Sequence, residues 1–307
     1  MEEKKNVAII SSSLDEASSN IKDSLLKISD WDFLPCGKTG ARKCHIFKGF
    51  KKCNLRLYEF DSELIHIENP ENRIDADYFV FISKHQSSKN IPALSVHSTG
   101  NFGKADLGGK EHMLSFAWPD FLFFAFSKLK EKTKGIDIEV VPEATHHGPY
   151  STKPLSFIEI GSDITKWSNK EYGKIVAETV IETIRELFES NIKKRTNIEE
   201  KQNMSLKENV AFGIGGNHYC NQFIKYYDKI RFSHICPKYH AKEIDENMLV
   251  HALDASVPKA NIVLIDWKGL SGEDKKRIFE IAEKIKKQRN IIVMKTKELS
   301  KLILDAN

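Results

Sequence analysis

The chain has 307 residues, a length that admits one large domain or two smaller ones. With 40% hydrophobic and 29% charged side chains it has the composition of a globular protein with a sizeable core, which excludes wholesale disorder. Forty-seven basic and 43 acidic residues leave a formal charge of +4, compatible with an anionic polymer but too small to demand one.

The first charged residues are followed by a four-residue apolar run, residues 7–10, too short for the hydrophobic core of a signal peptide. Further β-rich runs recur at 55–60, 78–82, 136–141, 157–160, 210–214, 262–265 and 291–294. Several are continuously apolar, as expected of strands buried on both faces. A helix is expected over 17–28, where Ile21, Leu25 and Ile28 share one face, so the pattern is an α/β alternation.

The most apolar stretch, 114–126, is broken by Trp118-Pro119-Asp120 and falls short of the roughly 20 residues of a membrane helix, so it reads as a buried helix. The lysine-rich 128–134 that follows reads as its solvated end. Ser168-Asn-Lys-Glu171 has the capping-box pattern of a helix start, and Val176, Val180, Ile184, Leu187 and Phe188 continue as one apolar face. Residues 191–208 turn polar and read as an exposed connector. The expectation is one composite α/β domain over 1–307, with a mixed or largely parallel central sheet flanked by helices. Cys36, Cys44, Cys53, Cys220 and Cys236 form an odd set without Cys-x-x-Cys, which argues against a disulfide framework and points to a reduced, cytoplasmic chain with no membrane segment.

Five segments place histidine and polar groups at strand ends, where an open α/β sheet has its ligand crevice. Ser83-Lys-His85 ends one apolar run, with Lys84 able to hold a phosphate or carboxylate. His97 and Asn101 flank a glycine turn, and Glu143-Ala-Thr-His146-His147 is the densest group of metal-ligand types. An extended backbone there would send His146 and His147 to opposite faces, a restriction that a loop would lift. Glu159 is a carboxylate inside an apolar strand, suited to a proton acceptor, a metal partner or a structural ion pair. Gly215-Gly216-Asn-His218-Tyr219 offers backbone N–H groups for a developing oxyanion beside two proton-transfer groups. Ser233-His234 to His240 is a further wall of lower weight. There is no His-Glu-x-x-His helix, phosphate-binding loop or nucleophile elbow, so spacing alone reaches only a metal-assisted hydrolase.

In order, Ser83-Lys-His85, Val96-His-Ser-Thr-Gly-Asn-Phe-Gly103, Glu143-Ala-Thr-His-His-Gly-Pro149, Phe157-Ile-Glu-Ile-Gly-Ser162 and Gly215-Gly-Asn-His-Tyr219 resemble the D-aminoacyl-tRNA deacylase family of archaea and plants. Tyr150, Asn217 and Cys220-Asn221 depart from the family's usual pattern. The resemblance implies hydrolysis of the ester between a D-amino acid and the terminal ribose of tRNA, zinc dependence, and a fold related to phosphorylases and peptidyl-tRNA hydrolases. It makes His97, His146, His147, His218 and Glu159 candidates for catalysis. Candidates for substrate binding are Ser83, Lys84, Asn101, Gly215, Gly216 and Tyr219. Candidate metal ligands are His85, His97, Glu143, His146 and His147. D-aminoacyl-tRNA is the expected partner, met by a monomer. Alternatives are a non-catalytic tRNA or nucleotide-binding module, whose histidine loops would not converge, and a metal-dependent peptidase or amidohydrolase.

Overall fold

The computed structural model describes residues 4–86, 91–190 and 206–305. An eight-stranded sheet forms the larger layer. Its strands are β1 (Lys5–Ser12), β2 (Trp31–Phe33), β3 (Lys43–Phe47), β4 (Cys53–Phe60), β5 (Tyr78–Gln86), β6 (Ala93–His97), β9 (Glu139–Pro142) and β10 (Leu155–Ser162), in the order β2-β3-β4-β1-β5-β10-β6-β9. A short pair, β7 (Gly100–Asn101) and β8 (Met113–Leu114), stands apart. The central β4, β1, β5 and β10 run parallel, whereas β3 joins β4 and β6 joins β10 antiparallel. The sheet is therefore mixed and largely parallel, as the alternating pattern implies.

Period-2 alternation sorts the central strands between two faces. Val7, Ile9, Val80 and Ile82 pack with helices α1 (Glu16–Ile28), α2 (Pro119–Lys132) and α4 (Lys170–Ile184), while Ala8, Ile10, Phe79 and Phe81 line the opposite face. A second sheet, wholly parallel, has the order β12 (Arg231–Cys236), β11 (Val210–Ile214), β13 (Ile262–Ile265) and β14 (Ile292–Lys295). One face carries α5 (Glu246–Asp254) and α6 (Gly272–Gln288). From its other face Ala211, Phe232, Ile262 and Leu264 join the apolar cluster of the large sheet, so that core runs continuously beneath both. The last helix, α7 (Thr296–Asp305), follows β14 directly. Among the described residues no helix is long and apolar enough to cross a membrane.

Four sequence expectations need correction or restriction. The cap of α4 is Asn169, whose side chain accepts from the N–H groups of Glu171 and Tyr172, and not Ser168, whose hydroxyl donates to Ile164 O and closes the one-turn α3 (Ile164–Trp167). Lys128 and Lys132 are not simply solvated: they pair with Glu186, Glu178 and Glu182 of the α4 region at 2.6–3.2 Å. Cys36 and Cys44 form a disulfide, Cα atoms 5.4 Å apart, because the antiparallel β2–β3 pairing turns the chain back on itself there. A count of cysteines carries no information about so local a pairing. Of the connector at 191–208, residues 191–205 lie outside the described residues, and Leu206–Glu208 form a 3-10 turn.

Candidate active site

Strand register assembles the floor of the site. Glu159 on β10 lies opposite Ser83 on β5 and Ser95 on β6, and both hydroxyls donate to its carboxylate, at 2.5 and 3.3 Å. Two residues further along β5 on the same face comes His85. Its Nδ1 lies 3.2 Å from Glu143 and 3.6 Å from Glu159, and its Nε2 3.1 Å from the Tyr219 hydroxyl. A side chain at Gly161, the register partner of His85, would meet that ring at 3.0 Å, so glycine keeps the space open. Across the sheet, the His97 ring stacks on Phe157 with centroids 5.1 Å apart.

The loop after β9 supplies the roof. Its histidines escape the alternation of a strand because His147 takes φ +43°, and the rings of His146 and His147 come to 4.3 Å of each other. Both approach His97, at 4.4 and 4.9 Å. Each of the three imidazoles sets Nδ1 against a backbone carbonyl: His97 on Ser98 at 3.2 Å, His146 on Ala144 at 2.8 Å and His147 on Gly148 at 2.5 Å. Donation from Nδ1 leaves the three Nε2 lone pairs directed inward, the arrangement found where histidine binds a metal. Ligand atoms of His97, His146 and His147 lie within 4.8 Å of one another, and the same holds for His85, Glu143 and His218 and for His97, Glu143 and Glu159. His97 Nε2 is buried without a hydrogen-bond partner.

The second sheet completes the wall. Ala144 N–H donates to His218 O at 2.7 Å, Thr145 N–H to Ile235 O at 2.9 Å and Ser98 Oγ to Ser233 O at 2.6 Å. Through these bonds the turn after β11 brings His218 Nε2 to 2.8 Å from Glu143. Burial would raise the pKa of both carboxylates, but the imidazoles win. His218 and His85 hold Glu143 well below the usual carboxylate range, and His97 and His85 lower Glu159. Burial works against protonation of His85 and His97 as well, yet the two carboxylates push His85 up to about 12, and Glu159 leads the rise at His97. Burial and the neighbouring imidazoles depress His146 far and His147 to about 4. Two buried anions thus share the pocket with two imidazoles they favour as cations, His85 and His97, and two that stay neutral, His146 and His147, so that a metal ion on His97 would take the place of its proton.

The candidates from the sequence fall into two groups. His85, His97, Glu143, His146, His147, Glu159 and His218 converge, with Tyr219 beside them. The substrate-binding expectations do not all follow. Ser83 is turned to Glu159, and Asn101 donates to Gly108 O and Lys110 O, holding a turn. The Gly215 N–H donates to Cys236 O, which removes it as an oxyanion donor, and Gly215 and Gly216, at φ +115° and +77°, shape the turn that presents His218. His234 is buried: Nε2 lies 2.9 Å from Ala255 O and Nδ1 3.1 Å from Thr145 Oγ1, so it anchors the Glu143 loop. Lys84 lines a cavity of ≈ 530 Å³ over the cluster, with its N–H on Asp15. Ser95 and Asp15 were missed by sequence reasoning. Asp15 caps α1 directly after β1, and a capping residue just beyond a central strand was the available signal.

A sequence model of D-aminoacyl-tRNA deacylases matches residues 72–289. The D-aminoacyl-tRNA deacylase of Pyrococcus furiosus is 32% identical over 289 residues, covering 90% of this chain and 96% of that protein. The chain belongs to the D-aminoacyl-tRNA deacylase family. The Thermococcus kodakarensis deacylase is 31% identical over 290 residues with the same coverage. A crystal structure described as a conserved protein of unknown function is 28% identical and superposes on this deacylase over 98% of both chains, with a TM-score of 0.81. Family membership and the converging residues rest on independent observations, one on sequence over most of the chain, the other on side-chain geometry.

Proposed function

We propose that this deacylase cleaves the ester between a D-amino acid and the terminal ribose of tRNA at the histidine–glutamate cluster, with a zinc ion held by His97, His146 and His147. The observation that carries the reading is the three inward Nε2 atoms, each ring fixed by a carbonyl on its Nδ1. A donor set of imidazoles with carboxylates beside them suits zinc, and the unpartnered, buried His97 Nε2 fits a ligand whose ion completes it. Bound there, zinc would polarise the ester carbonyl and acidify a water toward neutral pH.

The remaining steps fall to side chains of the chain. Glu143, ionised and fully buried, holds the His218 ring in place across 2.8 Å. His218, partly exposed in the cavity, takes the proton of the attacking water and passes the same proton to the departing ribose oxygen. Glu159, fixed by Ser83 and Ser95, keeps a second negative charge beside the three imidazoles, and His85 offsets both carboxylates. Lys84 at the rim and Tyr219 over His85 face the substrate. All these groups converge in one cluster drawn from both sheets, which supports reading the chain as one composite unit. A non-catalytic module would show histidine loops that stay apart, and these meet.

The test is release of tRNA from D-tyrosyl-tRNA and L-tyrosyl-tRNA by purified protein, with and without chelator. The D-ester should be hydrolysed and the L-ester spared, with activity lost to chelator and restored by zinc. No hydrolysis of the D-ester with zinc restored would overturn the reading.

A further inference from the structure

Leu14 and Leu107 are 60% and 59% exposed, and both line the mouth of the cavity above the cluster, together with Ile65. Exposed leucines scattered singly need no explanation, but these reach one mouth from separate loops. Ser13 N–H donates to Phe60 O and Ser12 Oγ to Ser62 O, which ties the Leu14 turn to the segment bearing Ile65. Gly108, at φ +75°, has so little room that an added Cβ would lie 2.1 Å from Ile65 O, and glycine alone lets the Leu107 loop lie this close. Asp15 and Glu63 also line the cavity, and Lys84 is the one lysine among its described lining residues.

We propose that Leu14, Ile65 and Leu107 form the slot for the terminal nucleobase of the tRNA acceptor end. The inference rests on the deacylase reading of the cluster. With the ester at the floor, two groups are close enough to fill the mouth: the amino-acid side chain and the base on the esterified ribose. A base has large apolar faces, and contact with them is a main source of single-strand affinity. Asp15 and Glu63 repel phosphate but can accept from ribose hydroxyls or a base amino group. The base is common to every substrate, whereas amino-acid side chains differ in polarity, so a fixed apolar slot suits the base.

Leu14→Ser and Leu107→Ser, at exposed positions that leave the fold intact by thermal melting, separate the two occupants. D-tyrosyl-tRNA, D-aspartyl-tRNA and D-tyrosyl-adenosine are the substrates. The slot predicts that each variant raises KM about tenfold, by a similar factor for all three and with kcat little changed. An increase confined to the tyrosyl esters would place the amino-acid side chain there and overturn the proposal, as would unchanged KM throughout. Inactivity of the unaltered protein on every D-ester would instead strike the deacylase reading itself.

Discussion

Glu143 is fully buried, and what faces it is imidazole: His85 at 3.2 Å, His218 at 2.8 Å and His146 at 3.8 Å. A buried anion with such neighbours is stable only while positive charge stays beside it, and His85, pushed up to about 12 by the two carboxylates, supplies that charge. His234 represents the opposite case. It is buried and neutral, donating to Ala255 O and accepting from Thr145, and burial lowers its pKa to about 4. Between roughly pH 6.5 and 4 the unfolded chain takes up a proton there that the folded chain refuses, so stability falls as pH falls, by on the order of 3 kcal/mol. Below that window both states are protonated and the slope vanishes. Urea unfolding at pH 7 and pH 4.5 should show a smaller acid-induced loss in His234→Gln than in the unaltered chain. Equal losses in the two proteins would remove His234 as the source.

At the scale of elements, α4 shows how a cap is chosen. Ser168 and Asn169 are both good capping residues, but α3 ends just before them and takes the Ser168 hydroxyl, leaving Asn169 to begin the next helix. Asn169→Ala should cost about 1 kcal/mol and Ser168→Ala under about 0.5 kcal/mol in chemical unfolding. The reverse order would restore the serine cap. The long periodic helices and the continuous apolar strands were legible in the sequence, because burial on one face or two leaves a repeating pattern. The antiparallel β2 and β3 were not: they are short and partly polar, β2 lies at the edge with β3 next to it, and only pairing defines them. β12 was hidden because Ser233 and His234 interrupt what is a wholly buried run from Phe232 onward.

The whole molecule brings the site together from two sheets. The motifs that carry it were readable as motifs, and their order pointed to the family. Their convergence was not readable, because it depends on register, which sets Glu159 between Ser83 and Ser95, and on bonds such as Ala144 to His218 that tie one sheet's loop to the other's. The failure of Gly215 as an oxyanion donor has the same origin, since only the packed structure shows its N–H given to Cys236. A metal that binds this assembly binds the folded state alone and stabilises it by mass action.

The most direct measurement is zinc content alongside D-tyrosyl-tRNA hydrolysis in the unaltered protein and in His97→Ala, His146→Ala and His147→Ala, each checked for its fold by circular dichroism. Loss of a ligand should cost more than the roughly 10–100-fold typical of outer-shell changes. Zinc and turnover should fall together in all three folded variants. Folded variants that keep full zinc and full turnover would contradict this expectation.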